Sequence, residues 1–241
     1  MDLNLLTLSR EQLKWHIIEY GEKHNLSVCF SQHYILFINH EANANLTLVS
    51  HYDTVAKPPT CKQIKRRGAV VYTTGDILGA DDRAGVWLCL ELSHYTKYTL
   101  FCDLEEVGGI GAQEFCQQNP DFHTNAFIEL DRKGENDAVF YDNISTDFYT
   151  FIMSYGWQEA VGSFSDISIL TPYYNIPSVN LSVGYRYQHT KYETLDLNIL
   201  NQTYERVKQM LLEYDNRQFK VDVDLEQIEF YNLLKLYGYD F

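Results

Sequence analysis

Leu78-Gly79-Ala80-Asp81-Asp82-Arg83-Ala84-Gly85 is the stretch from which the chain is best read. A run of β-formers precedes it (residues 69–73) and a helical pattern follows (residues 83–95), so it is a strand-to-helix turn. Two adjacent carboxylates sit in that turn between glycines. Like charges so close disfavour each other's ionised forms unless a cation or hydrogen bonds offset the repulsion.

The same local pattern recurs along the chain. Residues 47–51 form a short apolar run that delivers His51, with Asp53 two residues on. Residues 98–103 precede Glu105-Glu106, residues 126–130 precede Asp131, and residues 178–183 precede His189. Each is an apolar strand followed by an acid or an imidazole. In open α/β sheets ligands bind past the carboxyl ends of the strands, where loops bring distant residues into one cleft.

Between these strands lie helical patterns. Ser9 and Gln12 have capping-box spacing before a helix at 10–22. Residues 28–30 and 34–38 predict a hairpin. Further helices are expected at 112–118 and 146–155, and a long amphipathic one at 194–214 with Leu195, Ile199, Tyr204, Val207, Met210 and Leu211 on its apolar face. A last helix is expected at about 224–238. The basic segment 61–68 reads as an exposed turn after a proline loop. Alternating strands and helices predict an α/β fold: a three-layer sandwich with a central mixed, mostly parallel sheet flanked by helices. The length, 241 residues, fits one catalytic domain with the final helix as an appendage.

Composition narrows the class. A net charge of −14 argues against a nucleic-acid partner. No apolar run is long enough to span a membrane, and residues 1–10 show no signal-peptide pattern. Five cysteines without CxxC spacing, two of them (Cys89, Cys102) among apolar neighbours, read as reduced thiols and suit a cytoplasmic setting.

Asp53, Asp81, Glu105, Glu106 and Asp131 would crowd five carboxylates into one cleft, where unpaired charges could not stay ionised. Two divalent cations remove the difficulty. Two His with three carboxylates suit Zn²⁺, with Co²⁺ or Mn²⁺ as substitutes.

Taken together, His51-x-Asp53, Gly79-Ala80-Asp81-Asp82-x-Ala84-Gly85, Glu105-Glu106-x-Gly108, Glu129-Leu130-Asp131 and a late His189 resemble the cocatalytic di-zinc peptidases. That superfamily includes the M28 and M42 aminopeptidases and the M20 carboxypeptidases, peptidase T and deacylases. The resemblance covers residues 46–192. It implies that Asp81 bridges two zinc ions, that His51 and Asp131 complete one site, and that Glu106 and His189 complete the other. Glu105 would be the general base, Asp53 would orient His51, and the Asp81–Asp82 peptide would be cis. Tyr187 and Arg186, close before His189, are candidates for the oxyanion or a substrate carboxylate.

The interval from Asp131 to His189 leaves no room for the inserted lid or dimerisation domain of M20 and M42 relatives, which favours M28. Ser165-Asp166 before the strand at 178–181 points the same way, whereas the Asp81 turn resembles M20, peptidase T and M42. The reaction expected is exopeptidase hydrolysis, foremost by an aminopeptidase on short peptides. The alternatives are an M20-type carboxypeptidase or deacylase on N-acyl amino acids, and a non-catalytic metal-binding module. A homo-oligomer is compatible with all three.

Overall fold

The computed structural model describes residues 1–55, 63–74 and 76–222. After a 3-10 turn at Leu3–Thr7, helix α1 (Arg10–Lys23) starts on a capping box. Ser9 Oγ accepts from the Gln12 amide at 3.2 Å, and Gln12 Oε1 accepts from the Ser9 amide at 2.9 Å. Strands β1 (Ser27–Phe30) and β2 (Tyr34–Ile38) pair as the expected antiparallel hairpin. They lie so close under α1 that a side chain at Gly21 would meet the Phe37 ring at 2.7 Å.

Next come β3 (Ala44–His51), β4 (Ile64–Arg67), β5 (Val70–Thr73), α2 (Ala80–Leu92) and β6 (Thr96–Cys102). A 3-10 turn at Glu105–Val107 leads to α3 (Ile110–Gln118), then β7 (Phe127–Arg132), β8 (Asp137–Tyr141) and α4 (Thr146–Met153). The two-residue β9 (Gln158–Glu159) precedes α5 (Ile167–Tyr174) and β10 (Ser178–Ser182). The two-residue β11 (Tyr185–Arg186), β12 (Thr194–Asp196) and α6 (Leu197–Glu213) complete the described elements.

The main sheet has eight strands in the order β1-β2-β6-β3-β7-β10-β8-β9. Its centre, β6-β3-β7-β10, is entirely parallel. Those four strands therefore end on one edge, which is the edge that carries the acids and imidazoles. All but one residue of β3 is buried, as a strand covered on both faces must be. One core, built with α1, α2, α4 and α6, covers one face; a second, with α3 and α5, covers the other. This is the three-layer arrangement expected. Among the described residues no separate lid domain interrupts it, and no described helix is long and apolar enough to cross a membrane.

The second sheet, β11-β12-β5-β4, is antiparallel throughout and was not foreseen. The described part of the basic segment read as a turn contains β4, whose Lys65, Arg66 and Arg67 are exposed on the sheet's outer edge. Charged edge strands lack the apolar alternation that announces a strand. The long helix starts later than expected, because Asp196 caps it by accepting from the Asn198 and Ile199 amides. Leu195 belongs instead to β12, paired with Val71. The final helix expected at 224–238, and Cys61, lie outside the described residues. Cys89, Cys102 and Cys116 are buried free thiols, and Cys29 is an exposed one.

Candidate metal centre

His51 is the last residue of β3, and its ring is almost wholly buried. Nδ1 lies 3.2 Å from Asp53 Oδ1. Asp53 in turn accepts from the backbone amides of Glu105 at 3.1 Å and Glu106 at 3.3 Å. Burial alone would raise the Asp53 pKa, but His51 and the two amides hold it below the usual carboxylate range. With Nδ1 engaged by Asp53, the other ring nitrogen is aimed into the cleft. There Nε2 meets three carboxylates: Asp81 Oδ1 at 3.2 Å, Asp131 Oδ1 at 3.4 Å and Glu105 Oε2 at 3.9 Å.

Asp81 presents its two oxygens to two different imidazoles. Oδ1 faces His51; Oδ2 lies 3.0 Å from His189 Nε2. Burial opposes its ionisation, but His189 and His51 outweigh burial and pull its pKa down to about 2. The Asp81–Asp82 peptide is cis. Neither aspartate has helical backbone angles, so the regular part of α2 starts after them. Asp82 points the other way, where Oδ2 accepts from the His51 amide at 3.3 Å and Oδ1 from the Gly85 amide at 3.0 Å. Complete burial pushes its pKa well up. A side chain at Gly85 would run into this carboxylate and the Leu130 carbonyl, so the helix fits against β7 only with glycine there.

Glu105 and Glu106 follow β6 on the 3-10 turn. Burial, then the neighbouring carboxylates, push Glu105 up to about 9. Burial and Asp81 push Glu106 up to about 7. Glu106 Oε1 lies 3.0 Å from His189 Nε2. Asp131 falls within β7, one residue before its end; its amide donates to Asn180 Oδ1 at 3.0 Å, and Tyr185 Oη lies 3.0 Å from its Oδ1. His189 has left-handed backbone (φ 62°) and sits on the loop after β11. Its side chain is 48 % exposed. A hydrogen bond with Asp81 is the main cause that lifts its pKa to about 9.

The seven residues singled out in the sequence thus meet at one sheet edge. Donor atoms of His51, Asp81 and Glu106 lie within 4.8 Å of one another, as do those of His51, Asp82 and Asp131. The donor set fits divalent cations. Two imidazole nitrogens are aimed at a cluster of buried carboxylates, where burial first and the neighbouring carboxylates second drive Glu105 up to about 9. Positive charge between them would reverse that.

Sequence reasoning missed the groups that hold the donors. Glu193, buried, accepts from the Gly79 amide at 2.7 Å and the Asp81 amide at 3.0 Å, and so clamps the turn. Its signal, an acid just before a β-strand, is no motif. Tyr185, buried, supports Asp131 through its hydroxyl. Arg186 and Tyr187 do not line the cavity that holds the donors. Arg186 pairs with Glu135 at 3.1 Å, and Tyr187 is exposed.

A mixed α/β sheet that gathers imidazoles and carboxylates past its parallel strand ends is built to hold divalent cations where such folds bind their ligands. The model of peptidase family M28 matches residues 34–215, and the chain belongs to that family. Its members are typically zinc-dependent, so the chain is a metal-dependent peptidase by family and site together.

No curated protein matches the chain in sequence. Among solved structures it resembles the aminopeptidase PepT from Bacillus cereus ATCC 10987 with a TM-score of 0.71 at 13% identity, covering 87% of this chain and 95% of that one. A tripeptidase from Staphylococcus aureus gives 0.70 at 15%, with the same coverage of 87% and 95%. A glutaminyl cyclase from Porphyromonas gingivalis gives 0.58 at 19%, covering 84% and 89%. At such identities the likeness is one of fold, and the cyclase illustrates that this fold serves more than one reaction.

Proposed function

We propose that the chain is a dinuclear zinc exopeptidase acting from a single catalytic domain, most directly an aminopeptidase on short peptides. The observation that carries this reading is Asp81, with one oxygen 3.2 Å from His51 and the other 3.0 Å from His189. A carboxylate so placed would be open to one ion on either side. His51 and Asp131 would hold one ion, Glu106 and His189 the other, and Co²⁺ or Mn²⁺ could replace zinc. These residues would hold the ions, whose Lewis acidity would be available to polarise a substrate carbonyl and lower the pKa of an attacking water. Asp53 keeps the His51 ring oriented. Glu105 takes the proton of the attacking water and returns it to the leaving amine. Buried, it binds that proton firmly, and nearby cations would bring its basicity down toward neutral pH.

The test is Glu105→Gln on the zinc-loaded protein. The substitution keeps the shape and removes the base, so zinc content stays at the wild-type level while peptide turnover falls by about 10²–10⁴-fold. Undiminished turnover contradicts the assignment. An aminopeptidase spares N-terminally blocked peptides and still cleaves C-terminally amidated ones, even where it cleaves the free acids faster; cleavage of blocked peptides with no cleavage of amidated ones would move the chain to the carboxypeptidase or deacylase branch.

A further inference from the structure

Three cations line the donor cavity and the groove beside it, and their charges are not used alike. Arg132 Nε lies 3.3 Å from Asp137 Oδ2, and Arg132 Nη2 donates to the Val161 carbonyl at 3.3 Å. Arg186 is paired with Glu135. Lys133 follows Arg132 in sequence and is exposed. Its carbonyl accepts from Ser182 Oγ at 2.7 Å, but its ammonium forms no ion pair with any described carboxylate.

Position adds to this. The donor cavity is small, about 130 Å³, and Lys133 and Gln188 line both it and the adjoining groove of about 610 Å³. They stand at the seam where the two meet. A cavity of that size takes the groups next to the reacting bond, and the remainder of a substrate passes Lys133 into the groove. None of the described lysines forms an ion pair, and among them Lys133 is the one that lines the donor cavity. Its flexible stem and three donors suit a carboxylate whose position varies by a residue.

We propose that Lys133 binds the free C-terminal carboxylate of a short peptide, so that the substrates are di- and tripeptide acids rather than long or amidated chains. The proposal rests on the peptidase reading above, and Lys133 acts in it as a binding residue that touches no reacting atom.

The experiment compares trialanine with its C-terminal amide on the zinc-loaded full chain. Wild type favours the acid in kcat/KM by about 10-fold or more, as a charge-assisted contact requires. Lys133→Gln brings the acid-to-amide ratio toward one, and Lys133→Arg keeps most of it. A wild-type ratio near one overturns the proposal. So does an equal fall on both peptides in Lys133→Gln, the mark of a residue that only balances the field of the carboxylates. Calorimetric binding of the same two peptides to zinc-loaded Glu105→Gln reads the preference without turnover. Acid preference carried by Lys133 in a protein that hydrolyses neither peptide would sink the peptidase reading and keep the carboxylate site. Hydrolysis without preference would do the opposite.

Discussion

His51 and His189 present the same chemistry from two unlike settings. His51 ends a buried central strand, and its ring is fixed by Asp53, which is itself held by two backbone amides. His189 rides on a loop after a two-residue strand, with left-handed backbone and a side chain 48 % exposed. Asp81 lies between them and faces both. One half of the centre is therefore built by the core and stands ready before any ion arrives. The other half is presented from the rim, where ordering costs conformational entropy when the ion binds. A tighter ion is expected on the His51–Asp131 side and a weaker one on the Glu106–His189 side.

Substituting the two histidines tests that contrast most strongly. His51→Ala removes a buried ring from among four carboxylates, and loss of one partner of a buried ionic cluster costs about 3–5 kcal/mol. Denaturant unfolding of the metal-free protein should show that loss. His189→Ala should shift the same curve by less, about 1 kcal/mol, because its half-exposed ring is screened by solvent even though it pairs with the buried Asp81 and Glu106. Its zinc content should fall from two ions to one, read by elemental analysis after dialysis. Equal destabilisation by the two substitutions would erase the distinction between core-built and rim-presented halves.

Acidity sharpens the comparison with a smaller effect. In the metal-free protein Asp166 and Glu106 are pushed up to about 7, and Glu105 and His189 up to about 9. Burial is the main cause for the three acids, and the hydrogen bond with Asp81 for the histidine. Every one of these folded pKa values lies above its unfolded value. Folded protein thus holds more protons than unfolded protein between about pH 4 and 9, and its stability falls as pH rises through that window. Zinc requires deprotonated ligands, so its stabilisation grows over the same range. The gap in melting temperature between zinc-loaded and chelator-treated protein should widen from pH 6 to pH 8, by roughly 2–4 °C per kcal/mol of linkage. A gap that narrows would mean that Glu106 and His189 do not hold the metal.

Much of this centre was legible in the sequence because of how it is built. Strands buried on both faces leave unbroken apolar runs, so the acid or imidazole at the end of each stands out: His51 after β3, Glu105-Glu106 after β6, Asp131 at the end of β7. The topology supplied what order alone implied, since β6-β3-β7-β10 run parallel and end together. The supports were not legible. Glu193 acts on backbone amides of residues more than a hundred positions away, which no spacing records. Tyr185 supports Asp131 from a strand of two residues, too short for any periodicity. The β12–α6 boundary was misread because Leu195 keeps helical spacing with Ile199 even though Asp196 caps the helix between them. Strand β4 was lost because its exposed basic residues carry no apolar alternation.

The central claim is that one carboxylate is shared by two cations, one in each setting. Anomalous X-ray diffraction at the zinc edge, on crystals grown with zinc, tests it most directly. Two peaks about 3.5–4 Å apart are expected, one on either side of Asp81, with the higher occupancy beside His51 and Asp131. A lone peak away from Asp81, or no peak between the two histidines, would contradict it.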